Sequence, residues 1–99
     1  MEIDYQKFTS TVAGTISFYV ESARKSKSKG EIVNYHISMA SAAAVFYTWL
    51  DMAEGFPADA IENDATQLKA IIQAEDPSWP PTEESVQALK AEVEANSKR

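Results

Sequence analysis

The sequence predicts an all-α fold of about four helices built on a long N-terminal αα-hairpin. Three observations carry this. Apolar residues recur three and four apart over most of the chain, the spacing of one helix face. The stretches are separated by Gly- and Pro-marked breaks at Ser26-Lys27-Ser28-Lys29-Gly30, Gly55-Phe56-Pro57 and Asp76-Pro77-Ser78-Trp79-Pro80-Pro81. With 44% hydrophobic and 24% charged residues in 99, the chain is composed like one ordinary globular domain.

The first helix is expected over 4–27. Tyr5, Phe8, Val12, Ile16, Tyr19, Val20 and Ala23 fall within about 120° of arc at helical periodicity. Glu2 and Asp4 precede it, and Arg24, Lys25 and Lys27 end it, an order that complements the helix dipole. The second is expected over 31–54, with a stripe of Ile32, His36, Met39, Ala43, Phe46, Tyr47, Leu50 and Ala53. Each would be about 36 Å long, and a short loop between them makes them antiparallel. That pairing sets Phe8 near Trp49 or Leu50 and places bulky Val12 and Ile16 against the small residues at 40–44.

The third helix, over 57–74, carries Ile61, Ala65, Leu68 and Ile72. The fourth, over 82–96, has Thr82 as N-cap, Glu83 and Glu84 in its first turn, and a thin seam of Val86, Leu89 and Val93. At about 27 and 22 Å these two should cover the Gly55 end of the hairpin better than the Lys/Ser loop. The Pro-rich 76–81 connects them. Its Ser78-Trp79-Pro80-Pro81 has the form of a polyproline ligand, but Trp79 folded back onto the bundle is the simpler expectation.

One rival fold fits the first half. Ile16, Phe18 and Val20 alternate with polar neighbours, as do Val33, Tyr35 and Ile37, so a β-hairpin at about 15–22 and 32–38 would make the chain α+β.

Charge is unevenly placed. The chain has 15 acids and 9 bases, a net of −6. Residues 1–55 hold 6 acids and 5 bases, and residues 56–99 hold 9 acids and 4 bases. An acidic balance opposes a nucleic-acid backbone or an anionic membrane surface as partner. The exception is the knot Arg24, Lys25, Lys27 and Lys29, a weak candidate for phosphate contact whose ordinary role is a solvated helix C-terminus. The N-terminus is acidic where a secretory signal is basic. The longest uncharged stretch, Ile32 to Leu50, is too polar for a membrane span. A cytoplasmic location, the host cytoplasm if the source is viral, is the expectation.

No catalytic motif is present. There is no cysteine, and one histidine alone cannot make a two-histidine metal site. The three glycines are too far apart to cradle phosphate. No cofactor and no metal are expected. His36, on the second stripe, reads as a hydrogen-bonded core or interface histidine, with a small ligand-binding or enzymatic bundle using it as an alternative.

What remains points to protein contact. Phe18 lies about 135° from the centre of its helix's stripe, and with Tyr35 and Ile37 it could form an apolar patch beside the basic loop. Trp49 and Met52 fall opposite the second stripe, where burial inside the monomer competes with a dimer seam. The function expected is a small acidic non-enzymatic interaction or adaptor module that associates with itself, as a dimer or higher. The alternative is an acidic nucleic-acid mimic that inhibits a DNA-binding protein, using carboxylates such as Asp59, Glu62, Asp64, Glu75 and Asp76. Small size, alanine-rich helices and acidity are shared with many accessory proteins, small phage and prophage products among them.

Overall fold

A computed structural model describes residues 4–81 together with 84, 87, 88, 90, 91, 94 and 95. Three helices are defined: α1 (Tyr5–Ser28), α2 (Ile32–Ala53) and α3 (Ala58–Glu75). Of the expected fourth helix over 82–96, residues 84, 87, 88, 90, 91, 94 and 95 are described and are helical; the rest of it, with its seam of Val86, Leu89 and Val93, lies outside the described residues.

The β-hairpin alternative is not supported. No strand occurs among the described residues, and both candidate strands lie inside helices, 15–22 in α1 and 32–38 in α2. The physical reason is length. Each alternating run is short and embedded in a helical period that continues on both sides of it, so helical burial gains more than an isolated two-stranded ribbon could.

Local chemistry sets the helix ends. Asp4 caps α1, its carboxylate accepting from the Lys7 N–H at 3.2 Å. At the other end Gly30 takes φ +76°. The Glu31 N–H donates to the Ser26 carbonyl at 2.9 Å, and the Gly30 N–H to that of Lys27 at 3.1 Å. These are the two bonds of a Schellman motif, which stops the helix and reverses the chain. Gly55, at φ +102°, breaks the chain after α2 and Pro57 leads into α3.

The core lies where the three helices meet. Its buried residues are Val12, Ile16, Val20 and Ala23 from α1, Ala42, Phe46, Trp49 and Ala53 from α2, Leu68 and Ile72 from α3, and Trp79. On α1 the buried line follows the apolar stripe read from sequence. On α2 it does not. The buried positions 42, 46, 49 and 53 are rotated from the sequence stripe, leaving Ile32, His36, Tyr47 and Leu50 exposed. A helix apolar on most of its circumference has no single phase to read, so its neighbours choose which side is buried.

Trp49 is the centre of this packing. It is 0% exposed, its indole N–H donates to the Thr9 hydroxyl at 2.9 Å, and its ring meets Phe46 at 6.1 Å and Tyr5 at 6.5 Å. Of the two expectations for Trp49, burial inside the monomer holds and an anchor in a dimer seam does not: the side chain offers no surface to another molecule. Trp79 closes one flank, edge-on to Phe46 at 5.6 Å, while the Gln73 amide donates to its carbonyl at 2.9 Å. The segment after α3 is thereby pinned to the bundle.

The reach of α3 also differs from expectation. Glu75, in its last turn, bonds Arg24 and Lys27 near the end of α1, so α3 extends back to the Lys/Ser loop. The tight turn at 55–57 reverses the chain at once, and about 27 Å of helix is enough to return most of the way along α2.

Candidate functional site

The apolar surface that the fold leaves open runs along the outer face of α2. Val33, Ile37, Ala40, Ala44, Tyr47 and Asp51 are all exposed and recur at spacings of four and three, on the side away from Ala42, Phe46, Trp49 and Ala53. This is the a/d spacing of a coiled-coil seam, here presented to solvent. Val33 is 73% exposed, Ile37 58% and Tyr47 49%.

No charged residue lies between Glu31 and Asp51. The flanking hydroxyls are turned inward: Ser41 donates to the Ile37 carbonyl at 2.9 Å and Thr48 to the Ala44 carbonyl at 2.8 Å. Back-bonding of this kind satisfies the hydroxyl on its own helix and leaves the face more apolar than its residue types imply. The two alanines lie at its middle, and the bulky side chains lie towards its ends.

The residues singled out from sequence are scattered rather than gathered into one patch. Ile37 belongs to the α2 face. Phe18 is exposed on the opposite, polar side of α1, where its own helix surrounds it with Gly14, Thr15, Glu21 and Ser22 and its ring meets Tyr19 edge-on at 5.5 Å. Tyr35 is half-buried. Its ring meets His36 at 5.2 Å, and the Lys27 ammonium stands 5.4 Å from its centre. Burial raises the Tyr35 phenol above its ordinary value, and the Glu75 charge raises it further. Met52 is exposed, about 100° around α2 from the centre of the open face. His36 is exposed as well, which corrects the core half of the expectation of a core or interface histidine.

Sequence reasoning missed Val33, Ala40, Ala44 and Tyr47. Their signal was the unbroken four-and-three spacing through an uncharged stretch.

The basic knot is divided. Arg24 is held by Glu75 at 3.1 Å and Glu21 at 3.4 Å, and Lys27 stands 3.7 Å from Glu75. Lys25 and Lys29 are exposed and make no ion pair among the described residues. Two of the four phosphate candidates are thus engaged by a carboxylate of the same chain, and the field they could offer an anion is weakened accordingly.

Several acids are also engaged. Asp64 accepts from the Tyr5 hydroxyl at 2.7 Å, Glu75 binds the two cations, and Asp76 accepts from the Ser78 hydroxyl at 2.6 Å. Asp59 and Glu62 remain on the outside of α3, beside a shallow surface with Asn63 and Thr66.

Besides these surfaces, a groove of about 710 Å³ lies between α1 and α3. Gln6, Ser10 and Gln67 line it with Ala13, Leu68 and Ile71, and the Tyr5–Asp64 hydrogen bond joins its walls. Burial raises the Tyr5 phenol first, and Asp64 adds to the effect by hydrogen bond and charge. Among the described residues no three His, Asp or Glu side chains stand together as a metal set, and no helix is long and apolar enough to cross a membrane.

Compared with protein-family models, curated proteins and solved structures, the chain matches none.

Proposed function

We propose that this chain is a small non-enzymatic protein-interaction module whose contact surface is the outer face of α2. The observation that carries the reading is the exposed line Val33, Ile37, Ala40, Ala44 and Tyr47 within a helix that has no charged residue before Asp51 in its last turn. Burying a large aliphatic side chain is worth about 1.5–3 kcal/mol, so leaving Val33 and Ile37 in water gives up free energy that a partner could recover. The line runs for about 21 Å, and such a ridge suits another helix better than a small molecule.

Nucleic-acid mimicry draws no comparable support. It requires a dense array of free carboxylates, and Asp64, Glu75 and Asp76 are already engaged within the chain.

Position-specific photocrosslinking tests the reading. A photoreactive side chain at position 37 should give discrete protein adducts, whereas one at position 11, on the polar outer side of α1, should give none. Absence of adducts from position 37, or the same adducts from both positions, overturns it.

A further inference from the structure

The two ends of the exposed α2 face differ in charge, and that asymmetry selects an occupant. The turn leading into its N-terminal end carries Lys29 together with Glu31, which accepts from the Asn34 amide at 2.8 Å. At its C-terminal end stand Asp51 and Glu54. All four are exposed, and none is in an ion pair among the described residues. We infer that the face pairs with the same face of a second copy of this chain, antiparallel about a two-fold axis at the level of Ala42. The inference rests on the reading of α2 as a contact surface and adds the partner and its orientation.

The register follows from the residues. With the axis midway between positions 40 and 44, Ala40 of each copy faces Ala44 of the other, and Ile37 faces Tyr47. Alanine on alanine lets two helices approach at the short end of the usual 8–10 Å range. The larger side chains then close over the two ends of the contact. Lys29 of one copy comes level with Glu54 and Gly55 of the other, about one turn from Asp51. A parallel pair would instead set Lys29 on Lys29, Glu31 on Glu31 and Asp51 on Asp51. Isologous antiparallel pairing moves the four C-terminal acids apart and sets each Lys29 beside Glu54, while Glu31, level with Ala53 of the other copy, is held towards Asn34.

Size sets the strength. A helix of 22 residues is about 33 Å long, and with a width of about 12 Å it presents on the order of 400 Å² per copy. That is about half of a standard interface, so the pair should be weak and concentration-dependent.

Sedimentation equilibrium across a wide concentration range tests this. The wild-type mass should rise from 10.9 kDa towards twice that value. Ala40→Glu sets a carboxylate against Ala44 on both sides of the axis and should hold the mass at the monomer. Its circular dichroism melt should match wild type, because position 40 is exposed. Lys29→Glu and Glu54→Lys should each weaken the dimer about threefold to thirtyfold, since symmetry counts every charge contact twice. Combining them should restore it.

A mass of 10.9 kDa at every concentration overturns self-pairing. So does a dimer that Ala40→Glu leaves intact, or a charge-swapped double variant weaker than either single one. Failure here is separable from failure of the wider reading. Adducts from position 37 to a different protein, with a monomeric chain, contradict only the self-pairing, whereas no adducts at all contradict both.

Discussion

Trp49→Ala separates a residue that holds the monomer together from one that anchors a partner. The side chain is 0% exposed, stacks with Phe46 and Tyr5, and donates its indole N–H to Thr9 across the α1–α2 contact. Truncating a buried tryptophan to alanine costs about 3–5 kcal/mol through lost transfer free energy and the cavity left behind. A domain of this length has about 5–15 kcal/mol in total. At about 4–8 °C per kcal/mol, even the lower figure lowers the midpoint by about 12 °C or more. Trp49→Phe keeps an aromatic ring between Phe46 and Tyr5 but lacks the N–H. It should lose about 1–2 kcal/mol. Ile37→Ser, on the open face, should stay within about 0.5 kcal/mol of wild type. The assay is thermal unfolding by circular dichroism at 222 nm, at a concentration low enough to keep the chain monomeric. If Trp49→Ala melted with wild type, or lost less stability than Ile37→Ser, the core described above would be wrong.

Three further outcomes follow from the same contacts. Glu75→Gln weakens the ties from α3 to Arg24 and Lys27. Both cations are largely exposed, so the loss in chemical denaturation should be only about 0.5–1 kcal/mol and should shrink in high salt. The Tyr5 and Tyr35 phenols are held above their ordinary 10.0, first by burial and then by Asp64 and Glu75 respectively. The folded state keeps these protons more tightly than the unfolded one. Their stabilisation is therefore complete below pH 10 and is lost as pH rises through the raised values. Denaturation curves should show stability falling above pH 10, and Tyr5→Phe should flatten that fall. Gly14→Ala should raise the melting midpoint by the equivalent of about 0.5–1 kcal/mol, since Gly14 is exposed mid-helix and nothing stands within 4 Å of an added Cβ. Gly55→Ala should lower it by about 1–3 kcal/mol, because φ +102° strains any side-chain-bearing residue.

The all-helical class was legible because α1 is amphipathic with a clear polar side. Val12, Ile16, Val20 and Ala23 are buried where the stripe put them, and Phe18 is exposed where the helical arc put it. α2 was readable as a helix but not in phase. Val33, Ile37, Tyr47 and Leu50 are as apolar as the residues that are buried, so periodicity alone could not say which flank α1 and α3 would cover. That one ambiguity left Trp49 open between burial in the monomer and a dimer seam, and His36 open between core and interface; Trp49 is buried and His36 is exposed. The ties of Arg24 and Lys27 to Glu75 span some fifty residues, and no local pattern announces a contact of that range.

The chain has no cysteine, which makes one cross-linking measurement decisive for the antiparallel α2 seam. The Ala40→Cys and Ala44→Cys variants are mixed in equal amounts under mild oxidation, and the linked products are separated by mass after tagging one of the two. An antiparallel pair brings position 40 of one copy onto position 44 of the other, within disulfide reach. The mixed product should far exceed the half that random pairing gives. Linkage of each variant mainly to itself, a random distribution, or no linkage at all would contradict it.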